Sequence, residues 1–126
     1  MKGKAFLAAT AIVAVGGLAV TSSVGARADA DTKVTIKAPG GDVYGYVKSS
    51  KPKRCADDRK VKVYRQKGGA QGGGDDIKIG TDNASRNGDR YQWSIGQPGV
   101  SGKKIYARAG KIPGCKADNS PTIRAG

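Results

Sequence analysis

The sequence predicts an all-β domain, a small antiparallel sandwich of two sheets and about seven strands that is closed by one disulfide. Three observations support this prediction. Short segments rich in β-branched and aromatic residues alternate with stretches of Gly, Asn, Asp, Pro and Ser. Within several segments the apolar residues fall on every second position, as in a strand with one buried face. After residue 28, no segment keeps an apolar 3.6-residue repeat for three turns, so little helix is expected.

Seven segments have the composition of strands. They span residues 33–37, 43–49, 60–66, 77–81, 90–95, 104–109 and 121–124. In the fifth segment Tyr91, Trp93 and Ile95 share one face, so Tyr91 and Trp93 are expected in the core rather than in a ligand site. Asn87-Gly88, just before it, predicts a tight turn because both residues tolerate positive φ. Residues 68–74 contain five glycines and are expected to form a mobile loop.

The first 28 residues have the three-part pattern of a secretory signal peptide. Lys2 and Lys4 precede an apolar run over residues 5–20, and residues 26–28 form a small-residue Ala-Arg-Ala cleavage site. The run has 16 residues, fewer than the roughly 20 that span a bilayer. A retained N-terminal anchor is the alternative. We expect residues 1–28 to be removed and residues 29–126 to be secreted as one domain.

Residues 29–126 have a strongly basic balance. They hold all 10 acidic residues and 20 of the 23 basic ones, which gives a formal charge of +10. Such a charge attracts polyanions, namely anionic cell-wall polymers, acidic glycans and, without sequence discrimination, nucleic acid. The alternative is a surface whose charge serves only solubility. We expect a monomer that makes no membrane contact after signal cleavage.

The two cysteines, Cys55 and Cys115, are expected to pair because the inferred compartment is oxidising. The bond would close a loop of about 60 residues, for which the chain-entropy model gives about 4 kcal/mol of stabilisation. The other use of two cysteines is a metal site, but the chain has no histidine and no further cysteine to complete one. No cofactor is therefore expected.

A series of short motifs runs through most of residues 29–126. They are Gly-Tyr-Val at 45–47, Val-Lys-Val-Tyr at 61–64, Ile-Gly-Thr-Asp at 79–82 and Tyr-Ala at 106–107. Thr81-Asp82, followed by Gly88 and Tyr91, adds a corner motif. In these features the chain resembles the secreted bacterial transthyretin-like and carboxypeptidase-regulatory-like β-sandwich domains. The resemblance implies a transthyretin-like or Ig-like fold that serves as a binding, adhesive or spacer module. The histidine-dependent hydrolases of that group are not implied, because this chain has no histidine.

The composition argues against an enzyme. Without histidine there is no Ser-His-Asp or Cys-His arrangement, and without glutamate the side-chain carboxylates are all aspartates. The adjacent pairs Asp57-Asp58 and Asp75-Asp76 are the candidates for a small aspartate-dependent hydrolase, which stays as a second alternative. Asp and Asn in loops also offer oxygen ligands to calcium, but their spacing matches no EF-hand. No catalytic residue and no metal site are expected.

The main candidate site is a basic cluster around Cys55, which the disulfide joins to Lys116. The candidate ligands of an anionic polymer are Lys48, Lys51, Lys53, Arg54, Arg59, Lys60, Lys62 and Lys116. The bond should also bring Lys111 close to them. Tyrosines in the same region, Tyr44, Tyr46 and Tyr64, offer surfaces on which sugar rings or bases can stack. We expect one strongly positive end of the sandwich. The alternative is a solvated basic face that keeps edge strands from pairing.

The sequence therefore predicts a secreted, non-catalytic β-sandwich that attaches to anionic envelope or matrix polymers through its basic end. An extracellular spacer or surface-assembly module with incidental charge is the first alternative.

Overall fold

The computed structural model describes residues 28–126. Residues 1–27, which hold all but the last residue of the predicted signal peptide, lie outside the described residues, so the signal peptide stays a prediction. The strands of the described part are β1 (Lys33–Val34), β2 (Val43–Lys48), β3 (Lys60–Arg65), β4 (Ile77–Asn83), β5 (Ser85–Asn87), β6 (Arg90–Gly96), β7 (Lys104–Ala109), β8 (Asp118–Asn119) and β9 (Ile123–Arg124). A one-turn helix, α1, spans Pro52–Cys55, and a 3-10 turn spans Pro39–Gly41.

The strands form two antiparallel sheets, as the sequence predicts. In the five-stranded sheet the order is β9-β7-β3-β4, and β8 also pairs with β7. In the four-stranded sheet the order is β1-β2-β6-β5. Neighbouring strands are antiparallel in every pair. The prediction of a small two-sheet β-sandwich is confirmed.

The core lies between the two sheets and is built mainly from aliphatic side chains. Its largest fully buried members are Trp93, Ile105, Val34, Val43, Val47, Val61 and Val63. Trp93 is 1% exposed, which confirms its predicted place in the core. Tyr91, predicted there as well, packs against the core but is only partly buried and also lines a surface cleft. Gly45 is required beside Trp93, because a Cβ at this position would lie 1.8 Å from the carbonyl oxygen of Thr35 and 2.8 Å from the Trp93 ring.

A single segment, β4 followed by β5, changes sheets at Ala84. The first part pairs with β3 in the five-stranded sheet, and the second pairs with β6 in the other. Ala84 is 1% exposed; its N–H donates to the carbonyl of Arg59, and its carbonyl accepts from the N–H of Asp58. The Asp82 carboxylate accepts the N–H of Ser94 at 2.8 Å and so ties β4 to β6. Such a crossing makes a corner of the sandwich. The sequence did not predict β5, because all three of its residues are exposed and no apolar alternation marks it.

The last predicted strand is shorter in the structure and is preceded by another. Both β8 and β9 run along β7, with residues 120–122 between them. The N–H of Ser120 donates to the carbonyl of Ala107, and the N–H of Ala107 donates to Ser120 Oγ at 2.8 Å. Pro121 cannot donate a ladder hydrogen bond, so regular pairing resumes only at β9.

The glycine-rich loop at 68–74 is attached to the five-stranded sheet. Gln71 Nε2 donates to the carbonyl of Ser120 at 2.8 Å and to Thr122 Oγ1 at 2.9 Å. The N–H of Gly72 donates to the carboxylate of Asp76 at 2.8 Å. The composition of this loop predicts mobility, but the structure shows it hydrogen-bonded to neighbouring segments. The side chains responsible, Gln71 and Asp76, are not reflected in the number of glycines.

Candidate functional site

The disulfide between Cys55 and Cys115 is present, as the sequence predicts. Both cysteines are fully buried, and the bond joins the end of α1 to the loop before β8. The helix begins at Pro52, a residue favoured in a first helical turn because it has no N–H that would need a partner there. Lys53 and Arg54 in the same turn are exposed. The helix therefore buries its cysteine and presents its basic side chains to solvent.

Arg59, predicted to bind an anionic ligand, is instead a buried structural residue. Only 3% of it is exposed. Its Nη1 atom donates to the carbonyl of Cys55 at 2.7 Å and to Thr32 Oγ1 at 3.2 Å. Its Nη2 atom donates to the carbonyls of Gly110 at 2.7 Å and Lys116 at 2.9 Å. The guanidinium thus holds together the two segments that the disulfide joins, and its Nη atoms are occupied within the fold.

The charge of Arg59 is solvated by acceptors of the protein. Desolvation lowers the pKa of Arg59 below its ordinary value. Its Nε atom has no hydrogen-bond partner among the described residues. A buried charge without partners is energetically costly. Here backbone carbonyls provide most of the compensating hydrogen bonds. No local pattern distinguishes Arg59 from the neighbouring basic residues, of which none is buried.

A cleft of about 590 Å³ lies at the end of the four-stranded sheet, beside α1. Its walls are the end of β2, the β5–β6 hairpin and the first turn of α1. Six residues that give it charge and aromatic surface are Lys48, Lys53, Arg86, Arg90, Tyr46 and Tyr91. We call these six residues the cationic cleft. Asp89 is the single acid among the residues that line it in the described chain.

Contacts within the fold orient both arginines of the cationic cleft. The guanidinium carbon of Arg90 lies 4.9 Å from the ring centroid of Tyr46, a cation–π contact. Arg86 lies opposite Tyr91 in the β5–β6 pair, and its Nε atom donates to the carbonyl of Gly88 at 2.9 Å. Gly88 has a φ of +67°, as the predicted tight turn requires. Both arginines are therefore placed before any ligand arrives, which lowers the entropy cost of binding.

A second basic surface lies on the outer face of the five-stranded sheet. Lys60, Lys62 and Tyr64 of β3 alternate with two fully buried valines, so their side chains point away from the core. Arg108 of β7 lies directly opposite Lys62. These residues line a hollow of about 230 Å³ with Lys111 at its edge, as expected from the disulfide. We call Lys60, Lys62, Tyr64 and Arg108 the basic platform.

Few of the cations on these surfaces are neutralised by a nearby acid. Within residues 28–126 the one ion pair joins Lys111 to Asp29. Like charges even lie directly opposite each other across strands, in the pairs Lys33–Lys48 and Lys62–Arg108. Directly opposed like charges destabilise a sheet. The basic balance of the sequence therefore persists as local positive charge in the fold.

The eight predicted ligand-binding residues divide between several surfaces of the fold. Lys48 and Lys53 belong to the cationic cleft, whereas Lys60 and Lys62 belong to the basic platform. The remaining exposed members lie near the disulfide, namely Lys51, Arg54 and Lys116. The Nη1 atom of Arg54 is 2.7 Å from the point that a Cβ would occupy at Gly114, so this side chain lies against the cysteine loop.

Three arginines that complete the two surfaces were missed by the sequence analysis. Arg86 and Arg90 line the cationic cleft, and Arg108 belongs to the basic platform. They are distant in sequence from the cluster around Cys55, and only strand pairing brings them to it. For Arg90 and Arg108 the available signal was their position on predicted strands, next to apolar residues that pack in or against the core. Arg86 offered no such signal, because it lies in β5 between Ser85 and Asn87.

The aspartates considered for catalysis or for calcium are spread over the fold, and several of them accept hydrogen bonds from neighbouring residues. The Asp76 carboxylate accepts from the hydroxyl of Tyr106 at 2.5 Å. The Asp58 carboxylate accepts from Asn83 Nδ2 at 3.0 Å. In the described part of the chain, no group of three or more His, Cys, Asp and Glu residues is arranged to hold a metal ion.

Tyr106 links the glycine-rich loop to the basic platform. Its ring stacks on that of Tyr64, with centroids 5.4 Å apart. The hydrogen bond from Tyr106 holds the pKa of Asp76 below its ordinary value. Burial, and then the same hydrogen bond, raises the pKa of Tyr106 to about 12. Asp76 therefore fixes Tyr106, and Tyr106 supports the ring of Tyr64.

Comparisons with known proteins give no family for this chain. No protein-family model, curated protein or solved structure matches it significantly. Among residues 28–126, no helix is long and apolar enough to cross a membrane. The basis for a functional proposal is therefore the chemistry of the two basic surfaces.

Proposed function

We propose that this protein is a secreted, non-catalytic module that attaches to an acidic glycan or an anionic cell-wall polymer. The observation that carries the proposal is the cationic cleft, where four cations and two tyrosines surround about 590 Å³ together with one acid. Its lining suits a chain of sugar rings that bear carboxylate, sulfate or phosphate groups. Cations pair with such groups, and tyrosine rings pack against the apolar faces of sugars. The buried disulfide agrees with an oxidising compartment.

Attachment has a long-range step and a contact step. The formal charge of +10 on residues 29–126 draws a polyanion to the surface, and salt screens this attraction. In the cleft, Arg86 and Arg90 present planar groups that match carboxylate and phosphate oxygens, whereas Lys48 and Lys53 act as compact point charges. Binding should therefore depend on the density of anionic groups along the polymer more than on the identity of each sugar.

The test compares two variants that each lose three positive charges. The cleft variant carries Lys48→Gln, Lys53→Gln and Arg90→Gln; Arg86 is kept because it bonds to the hairpin turn. The control carries Lys37→Gln, Lys67→Gln and Lys103→Gln, all at exposed positions. Lys67 and Lys103 line a basic hollow of about 240 Å³ without an aromatic side chain, so the control measures the effect of charge alone.

The probe is heparin, a sulfated glycan, titrated at an ionic strength of about 0.15 M. Three exposed charge contacts of about 0.5 kcal/mol each correspond to about a tenfold loss of affinity in the cleft variant. The control should lose much less. Thermal unfolding shows whether each variant keeps the fold, and a milder Lys48→Gln, Lys53→Gln variant replaces the first if it does not. Equal losses in cleft variant and control would favour the spacer module with incidental charge.

A DNA duplex of similar length is titrated beside the glycan. Weaker binding to DNA than to heparin is expected, since the cleft combines its cations with tyrosine surfaces for single sugar rings. Tighter binding to DNA, with the same dependence on the cleft residues, would replace the glycan with nucleic acid as the partner.

A further inference from the structure

The basic platform faces a different direction from the cationic cleft. It lies on the outer face of the five-stranded sheet, and this face turns away from the four-stranded sheet that carries the cleft. The two sheets of a sandwich pack about 10 Å apart. A linear polymer seated in the cleft therefore leaves the basic platform open to solvent.

The platform concentrates positive charge on one face of the sheet, where Arg108 Nη1 also donates to Asn119 Oδ1 at 2.7 Å. Lys62 and Arg108 are direct cross-strand neighbours, and Lys60 extends the same row along β3. Among the described residues that line the hollow there is no acid. A like-charge pair in the middle of a sheet opposes folding, whereas an anionic group between the two cations would convert the repulsion into two attractions. The arrangement fits a surface that is completed by an anionic ligand.

The platform also offers an ordered aromatic ring. Tyr64 is half-buried, and its ring stacks on Tyr106 at 5.4 Å between centroids. The hydroxyl of Tyr106 donates to Asp76, and it accepts from the N–H of Gly72 at 3.2 Å. Tyr64 is therefore supported from the side by a neighbouring ring that hydrogen bonds hold in place. An ordered ring next to three cations can pack against a sugar while the cations bind its charged substituents.

We infer that the basic platform is a second binding site for an acidic glycan, and that one molecule with both sites occupied bridges two polymer chains. This inference rests on the proposed function, because it takes the cationic cleft as the first site. With one site the protein would only bind to a polymer. With two sites on different sheets it would cross-link two polymer chains that do not otherwise touch.

The experiment separates binding from bridging. Two sets of beads that carry different dyes are coated with heparin, and the protein is added at equal fractional occupancy for every variant. Mixed aggregates are counted by flow cytometry, and the protein bound to one set of beads alone is measured in parallel. The variants are the cleft variant and the control described above, and a platform variant with Lys60→Gln, Lys62→Gln and Arg108→Gln. Each loses three positive charges.

Wild-type protein and control should form mixed aggregates, and both the cleft and the platform variants should form fewer by about tenfold or more, because bridging needs both sites. Native mass spectrometry with a heparin hexasaccharide should show two oligosaccharides on the wild-type protein and one on either variant. Thermal unfolding confirms the fold of the platform variant, and Lys62→Gln alone replaces it if the triple change unfolds the sheet.

Three outcomes would overturn the inference. The first is a platform variant that bridges as well as the control, and the second is a wild-type protein that binds one hexasaccharide. The third is a stable dimer in sedimentation that keeps bridging in the platform variant, because two copies with one site each then explain the aggregates. In all three the cleft variant still loses affinity for single beads if the proposed function is right. If the cleft variant bound single beads as tightly as the control does, the proposed function would be contradicted as well.

Discussion

The cationic cleft and the basic platform carry similar charge, but the fold builds them in different ways. The cleft gathers residues from β2, from α1 and from the β5–β6 hairpin, so it exists only when three separate elements come together. The core of the platform lies on two adjacent strands, β3 and β7, whose register alone places Lys62 beside Arg108. The comparison teaches that one surface depends on tertiary packing of a helix and a hairpin, whereas the other depends mainly on strand pairing.

The hydrogen bonds of Arg59 connect the two surfaces. It donates to the carbonyl of Cys55, at the end of the helix that forms one wall of the cleft. It also donates to the carbonyl of Gly110, at the rim of the platform hollow. Changes at Arg59 should therefore affect both surfaces.

The largest effect is expected from Arg59→Met. The change leaves carbonyls of Cys55, Gly110 and Lys116 without their donor, and it should lower the free energy of unfolding by about 3 kcal/mol. Urea unfolding measures the loss, and heparin binding should weaken at both surfaces. Arg65→Met, at a half-buried arginine at the end of β3, is the matched control. An equal loss in the control would show that the hydrogen bonds of Arg59 make no particular contribution to the free energy of unfolding.

An intermediate effect is expected from reversing one charge in each cross-strand pair. Lys62→Glu turns the pair with Arg108 from repulsive to attractive, and Lys48→Glu does the same with Lys33. Each change should raise the free energy of unfolding by about 0.5 kcal/mol at low salt, and the gain should vanish at about 1 M salt. Both should weaken heparin binding.

Urea unfolding at the two salt concentrations, with the Gln variants at the same positions as neutral references, checks these expectations. If stability rises and heparin affinity stays unchanged, the charges of that pair do not contact the polymer. If neither stability nor affinity changes, the opposed charges are already separated enough in solution not to interact.

The smallest effect is expected from the titration of Asp76 and Tyr106, the hydrogen-bonded pair beside Tyr64. Because the folded pKa of Asp76 lies below the ordinary carboxyl value, this group contributes stability above that value and loses it as the pH falls through the lowered pKa. Asp76→Asn should therefore flatten the acid side of the stability curve. Because the pKa of Tyr106 is raised to about 12, its contribution is present below its ordinary value and is lost as the pH rises through the raised one.

Urea unfolding from about pH 6 to about pH 2 measures the acid side. Asp75→Asn is the control, since it keeps the hydrogen bond between Asp76 and Tyr106. Binding at the cleft should be the same in both variants, whereas binding at the platform should weaken slightly in Asp76→Asn. A change in cleft binding would mean that the two surfaces are coupled through the core and not only through Arg59.

Particular elements show how far sequence reasoning reached. The strand that carries Val61 and Val63 was predicted because apolar alternation is a local pattern that one buried face requires. β5 was missed because a fully exposed segment has no such pattern, and only its pairing with β6 makes it a strand. β8 was missed for a related reason, since it has only two residues and is a strand only through its pairing with β7.

By itself the sequence determined the two-sheet antiparallel sandwich, the Cys55–Cys115 bond and the basic balance of the domain. Alternation, turn residues, cysteine count and charge are properties of neighbouring residues or of composition, so they can be read along the chain. Only the tertiary structure decided that Arg59 is buried and that the basic residues divide between two sheets. Burial and register depend on contacts between residues far apart in the chain, and a run of lysines and arginines does not reveal which of its members will face inward.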